Sequence, residues 1–310
     1  MPIDTYEIER WCDRLGGVAR TSDLLAVGAD SKSIARARRE GAVERVRPGV
    51  YATATAAGEV VTAARHGGRL GCMSRLRRAG VWLLDDDGRV HVSMPEHGRL
   101  HPHVACTCVL HWTGSGSALG ESTIVEALAQ LLACHGDETF FAALESAMRK
   151  RLLDAAGVGR LRARVPAKHR RIVDFARWDA DSGLESLLRL RLRRHRIELR
   201  SQIEIDGVGR VDFVLGDRLI LEADGKGNHV DGFDDSQQRS RDPAASSSKR
   251  HKDLVRDAAA AERGYVTLRF DYAQIIHDWP SVEAAILACV AHGRHRSPKP
   301  GRPSRRRDVA

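Results

Sequence analysis

The sequence predicts an α+β protein of 310 residues in which a small N-terminal unit, a mixed middle segment and a C-terminal α/β block follow one another. Three observations carry that reading. Short helical and alternating segments crowd residues 1–55, and the hydrophobic period switches between helix and strand over 56–165. Residues 176–292 then read as helix, three strands, helix, strand, helix around a central mixed sheet. At 42% hydrophobic and 29% charged residues the chain has enough apolar material to fold, which excludes general disorder. No apolar run reaches the roughly 18–20 residues of a membrane span. MPIDTYEIERW lacks the basic-then-apolar layout of a secretion signal, so a cytoplasmic protein without a membrane partner is expected.

In the first unit, Ile8, Trp11, Cys12 and Leu15 repeat at helical spacing until Gly16-Gly17 stops the helix, and SDLLAVG follows Thr21 as a second short apolar stretch. Asp30-Ser31 offers an N-cap to the basic helix SKSIARARRE, which Gly41 ends. VERVRPGVYAT then alternates into two strands around Pro48-Gly49. Three short helices and a hairpin are the layout of a winged helix-turn-helix. This reading puts Lys32, Ser33, Arg36 and Arg39 on the exposed side of the third helix and Arg45 and Arg47 on the wing, to meet DNA phosphates and base edges. The stretch GGVARTSDLLAVGADSKSIARARREGAVERVRPGVYAT resembles the N-terminal winged-helix domain of abortive-infection-type antitoxins, which are transcriptional repressors.

Residues 56–165 alternate: helices near VVTAARH and SRLRRAGVWLL, strands at GRVHVSM and HVACTCVLHW, then helices around TIVEALAQLLACH and ETFFAALESAMRKRLL. The segment looks like the companion domain that follows the winged helix in the same antitoxin-like chains. Cys12, Cys72, Cys106, Cys108, Cys134 and Cys289 are too scattered for a disulfide framework and read as small buried hydrophobes. His101, His103, Cys106, Cys108 and His111 place five zinc-type donors within eleven positions. Their spacing does not match a zinc knuckle, however, and residues 104–110 read better as a strand with both thiols facing the core.

The C-terminal block, 176–292, carries acids at positions fit for burial. SGLESLLRLRLRRH is an amphipathic helix. RSQIEID, RVDFVL and RLILEAD are strands, KRHKDLVRDAAAAERG is a helix and YVTLRF a strand. Asp212 interrupts Val211-Phe213-Val214, and Glu222 with Asp224 ends the apolar run Leu219-Ile220-Leu221. Burying carboxylates on such strands costs several kcal/mol by order of magnitude unless a cation compensates. The period of two puts Glu222 and Asp224 on one face. A two-residue turn would pair Asp212 with Leu221, whereas a three-residue loop Gly216-Asp217-Arg218 pairs it with Glu222; the expected register is the second, which gathers all three acids. Hard carboxylate oxygens suit Mg²⁺, with Mn²⁺ as substitute. Lys226 stands close enough to orient a water, and His229 to assist a proton transfer.

At these residues the sequence resembles the PD-(D/E)XK nuclease superfamily, in the branch similar to very-short-patch repair endonucleases. The resemblance rests on Ser182 to Glu185, Val211-Asp212-Phe213, Glu222-Ala223-Asp224-Gly225 followed by His229, Asp253 to Arg256-Asp257, Gly264-Tyr265 and Leu268-Arg269-Phe270. It implies a restriction-endonuclease-like α/β fold and a metal-dependent DNA endonuclease, with Asp212, Glu222 and Asp224 as metal ligands. Asp224 or Lys226 stands in the place of the family's lysine, and the two alignments stay open. Glu185 has two readings: an acid beside the metal, or one half of a Ser182-x-x-Glu185 capping box. The stretch VDGFDDSQQRSRDPAASSSKR, with Arg239 and Arg241, is longer and richer in Ser than this branch usually has, and reads as a mobile loop.

The chain carries a net charge of +9, of which the tail from His292 supplies six, through Arg294, Arg296, Lys299, Arg302, Arg305, Arg306 and Arg307 against Asp308. Residues 293–310 are thus expected as a disordered basic arm toward a polyanion. Arg189, Arg191, Arg193, Arg194 and Arg196 would add a basic helix face. The reading is an Mg²⁺-dependent endodeoxyribonuclease whose partner is DNA, acting in repair or phage defence, and double-strand cleavage would ask for a homodimer or sequential nicking. The alternative is a non-catalytic, antitoxin-like repressor with a toxin partner.

Overall fold

The computed structural model describes residues 3–103, 106–114, 119–224 and 243–297, and the chain divides into two compact units, Met1–Trp178 and Asp179–Ala310. Among the described residues no helix is long and apolar enough to cross a membrane.

The first unit opens with α1 (Thr5–Arg14), started by a capping box in which the Glu7 amide donates to Asp4 Oδ1 (2.8 Å) and the Asp4 amide to Glu7 Oε2 (3.1 Å). Ile8 and Cys12 are buried as the periodicity requires, but Leu15 caps the helix and is exposed. Val18–Arg20 forms a short strand, β1, that the sequence reading missed; α2 (Thr21–Ala26) and α3 (Ser31–Arg39) follow, then β2 (Glu44–Arg47) and β3 (Val50–Ala52). The three strands pair antiparallel in the order β1-β3-β2. Cys12, Ala19, Leu24, Ile34, Ala37 and Val43 close a core under the three helices.

Next come α4 (Gly58–His66), β4 (Arg69–Leu70), α5 (Cys72–Arg78), β5 (His91–Pro95) and β6 (Val109–Gly114). The sheet order is β4-β5-β6, antiparallel then parallel. The strand expected from residue 104 starts only at Val109; Cys106 and Cys108 lie before it and are half-buried, Cys108 packing against the core cluster of Val92 and Met94. Helix α6 (Ile124–Arg149) joins the two helices expected there, with a break at Gly136 (φ 77°, ψ −170°). Then α7 (Ala155–Arg164) and α8 (Arg170–Phe175) complete the unit. Val18, Val50 and Ala52 share one core cluster with Val60, Leu70, Val92 and Met94, so the winged helix and the segment from 56 pack as one body.

The second unit runs α9 (Gly183–Leu192), β7 (Leu199–Ile205), β8 (Gly209–Leu215), β9 (Leu219–Asp224), α10 (Pro243–Glu262), β10 (Val266–Asp271), α11 (Tyr272–His277) and α12 (Trp279–Ala291). Its mixed sheet has the order β10-β9-β8-β7, with β10 parallel to β9 and the other pairs antiparallel. The ladder Phe213↔Leu221, Val214↔Ile220, Leu215↔Leu219 leaves a three-residue loop, Gly216-Asp217-Arg218, and its continuation sets Asp212 opposite Glu222. Gly216 makes that loop possible at φ 64°, where an added Cβ would lie 2.1 Å from the His295 carbonyl oxygen. Val214 and Ile220 pack with Ala260 of α10, so the face that carries Asp212, Glu222 and Asp224 is the one α10 covers.

Helix α10 begins at Pro243, not Lys249, because a proline at the first helical position needs no amide partner. The remainder of the expected mobile loop, with Arg239 and Arg241, lies outside the described residues. The start of the basic arm is ordered: the Asp217 amide donates to the His295 carbonyl (3.0 Å) and the Ser297 amide to Asp217 Oδ1 (2.8 Å). The arm beyond residue 297 is outside the described residues.

Candidate functional site

Asp212 and Glu222 sit on interior strands, so they are not solvated edge acids. With Asp224, Glu185, Ser182 and Asp253 they line a cleft of about 260 Å³, which Arg210, Arg256 and Arg269 also border. The Ala223 amide donates to Asp212 Oδ2 (2.8 Å). Burial pushes the Asp212 carboxyl above the ordinary range, the Ala223 amide and Arg256 offset part of that, and the charges of Glu222 and Asp224 add to it.

Glu222 arrives at the cleft already ion-paired. Arg256 Nη2 lies 3.0 Å from its Oε1, while Arg269 Nε and Nη2 lie 3.0 and 2.8 Å from its Oε2. Arg256 is itself fixed by donating to the carbonyls of Val208 (3.0 Å) and Arg210 (2.8 Å), and Arg269 reaches Asp257 Oδ1 at 3.1 Å. Burial alone would lower the Arg269 guanidinium, but its hydrogen bond to Glu222 and the nearby acids hold it above its ordinary value. Expected as a metal ligand, Glu222 instead spends both oxygens on guanidinium groups.

Glu185 is 3% exposed. Its amide donates to Ser182 Oγ (3.2 Å), which caps α9. Its carboxylate does not close a capping box on Ser182; Oε2 accepts from the Asp181 amide (3.2 Å) and from Gln202 Nε2 (2.7 Å). Gln202 holds φ 55°, uncommon for a residue with a side chain, at the ladder position opposite Asp212. The sequence reading missed Gln202 because nothing in its neighbours announces that backbone. Lys226 and His229 lie outside the described residues.

On the winged helix, Lys32, Arg36, Arg39 and Arg45 are exposed as expected. Ser33 is not: it is 3% exposed and closes a capping box with Asp30, its amide 2.6 Å from Asp30 Oδ1 and its Oγ accepting from the Asp30 amide (2.9 Å). It holds the helix and does not face a ligand. Arg47 turns inward from the wing, donating through Nε to the Ala64 carbonyl (3.0 Å), and with Arg20, His97, Arg99 and His101 it lines a groove of about 620 Å³. Burial, then the charge of Arg20, lowers the Arg47 guanidinium. Of the basic face expected on α9, three arginines are engaged within the fold, while Arg196 is exposed. Arg189 is buried, Arg191 donates to the Ile275 carbonyl and stacks 5.2 Å from the Trp279 ring, and Arg194 pairs with Glu283.

Residues 7–54 match the AbiEi_4 family, described as "Transcriptional regulator, AbiEi antitoxin". The matched segment is the winged helix from α1 to β3, so that part of the first unit is similar to antitoxin-type transcriptional regulators. No curated protein matches the chain.

Proposed function

We propose that the chain is a DNA-binding protein that hydrolyses phosphodiester bonds at the cleft of its second unit, with Mg²⁺ as resident cation and Mn²⁺ as substitute. One observation carries the reading: Asp212, Glu222 and Asp224 share one sheet face and line the same cleft as Glu185. The order helix, three antiparallel strands, helix, parallel strand agrees with the PD-(D/E)XK resemblance. The donors are all hard carboxylate oxygens, and Asp212 is ionised only against burial, so this chemistry fits Mg²⁺. Asp212 and Asp224 would hold it, with Glu185 alongside. The cation would supply polarisation of the scissile phosphate and charge stabilisation of the departing oxygen.

The surrounding residues set the stage. The Ala223 amide fixes the Asp212 carboxylate, Gln202 orients Glu185, and Glu222 holds Arg256 and Arg269 at the rim, where they meet the charge of a phosphodiester. Lys226 and His229 are assigned the water-orienting and proton-transfer roles on sequence alone. Lys32, Arg36, Arg39 and Arg45 grip the duplex, an assignment the regulator-family match supports. The test is incubation of the full chain with supercoiled plasmid. Conversion to nicked or linear DNA with Mg²⁺ or Mn²⁺, absent with chelator and in Asp212→Asn, supports the proposal; equal conversion by Asp212→Asn refutes it.

A second reading is a non-cutting regulator with DNA and a toxin as partners. It is favoured by the family match and by the occupation of both Glu222 oxygens with guanidinium groups. It expects sequence-dependent retention of DNA in a gel, indifferent to chelator, and no conversion of plasmid.

A further inference from the structure

We infer that Cys72, His91, His111 and Cys134 of the first unit form a zinc-binding site. Their donor atoms, two sulfurs and two ring nitrogens, all lie within 4.8 Å of one another. Two thiolates and two imidazoles are a zinc donor set, with no oxygen to attract Mg²⁺. Two thiolates also balance a doubly positive ion, so the occupied site is neutral; of the four donors, Cys72 and His91 are buried.

Each donor is delivered by a different element. Cys72 begins α5, His91 begins β5, His111 lies in β6 and Cys134 on α6. In the parallel pair, His91 stands opposite Val109 and Ser93 opposite His111, so the histidines project from one face, two positions apart. His91 Nδ1 lies 3.1 Å from His111 Nε2. Zinc–nitrogen bonds of about 2.0–2.1 Å in a tetrahedron set two nitrogens about 3.4 Å apart, so this edge is nearly formed.

The supporting contacts hold the donors in place. His91 Nε2 faces Asp87 Oδ2 at 3.1 Å, the carboxylate–histidine arrangement that orients a ring and leaves its other nitrogen for metal. The His91 amide donates to Ser74 Oγ (2.9 Å). The Cys72 amide donates to Gln130 Oε1 (2.9 Å), and Gln130 stands one helical turn before Cys134. Gln130 Nε2 in turn donates to Ser93 Oγ (2.8 Å) and Thr113 Oγ1 (2.9 Å), which tie α6 to both histidine strands. Cys72 holds φ 43°, a left-handed value costing about 1–3 kcal/mol in a residue other than glycine. Cys134 is exposed and provides the entry path. Binding releases the two thiol protons to solvent and clips α5, β5, β6 and α6 together.

A neighbouring trio, His66, His103 and Cys106, offers three donors and serves as the control. The experiment is metal analysis of the untagged full chain, purified under reducing conditions with zinc and then desalted, alongside Co²⁺ titration of the stripped protein. One zinc per chain, retained by Cys106→Ser and lost by both Cys134→Ser and His111→Asn, is the expected result. Co²⁺ should give intense visible bands of a tetrahedral site and a sulfur-to-cobalt band at one equivalent. No stoichiometric zinc in the parent chain, retention by both variants, or loss in Cys106→Ser alone overturns the assignment, as does a Cys72–Cys134 disulfide in the reduced preparation. Should a variant fail to fold, the Co²⁺ spectrum of the parent decides: absence of the sulfur-to-cobalt band is a refutation.

Discussion

Replacing Glu222 with Gln keeps the side chain's shape and removes the charge that Arg256 and Arg269 share. Three guanidinium contacts at 2.8–3.0 Å lose their charge assistance, and two cations are left facing each other across a neutral amide. Breaking a fully buried pair costs about 3–5 kcal/mol. Here the Arg256 and Arg269 side chains retain 33% and 28% exposure, so water recovers part of that loss. Halving for solvent screening gives about 2 kcal/mol. For a unit the size of Asp179–Ala310, that lowers the melting temperature by about 6–10 °C. Differential scanning calorimetry of the full chain reads the shift. A double-mutant cycle with Arg269→Ala should return a coupling of about 1–2 kcal/mol. A shift under about 2 °C together with zero coupling would refute the clamp.

Three further outcomes follow from the same geometry. Burial raises the Asp212 carboxyl, so its ionised form opposes folding in full above the folded-state value, and the penalty fades as pH falls through that value toward about 4, the ordinary carboxyl range. Asp212→Asn should therefore melt higher than the parent at neutral pH without divalent cation, and the gap should close on acidification; a parent that melts higher at pH 7 contradicts this. Alanine at Lys32, Arg36, Arg39 or Arg45 should weaken DNA binding, and each lost phosphate contact should reduce the slope of log K against log salt by about 0.9, measured by fluorescence anisotropy. Ser33→Ala should leave that slope unchanged while costing about 0.5–1 kcal/mol of stability through the lost cap contact.

Where information was local, the sequence was readable. The Asp30 cap, the apolar periods of α1 and α3, and the alternation of β8 and β9 each follow from neighbours within one turn or one pleat. The register between β8 and β9 was legible because only a three-residue loop brings Asp212 opposite Glu222, and Gly216 supplies the backbone that loop needs. Long-range geometry was not legible. Cys72, His91, His111 and Cys134 follow one another at intervals of about twenty residues, so no spacing motif announces their convergence, and the local run from His101 to His111 shares only His111 with them. Ser33 misled because helical periodicity alone does not distinguish a capping hydroxyl from an exposed one. Arg47 and Arg189 misled because a long cationic side chain can bury its stem and donate to carbonyls or rings instead of solvent. The Arg256 and Arg269 clamp on Glu222 required knowing that β10 runs parallel beside β9, which sets Arg269 directly against Glu222.

The most direct measurement of the central claim is titration of the full chain with Mn²⁺, followed by electron paramagnetic resonance of the free ion. One site per chain, competed by Mg²⁺ and abolished by Asp212→Asn and by Asp224→Asn, is what the carboxylate cleft requires. Binding that is absent from the parent, or identical in both variants, would contradict it.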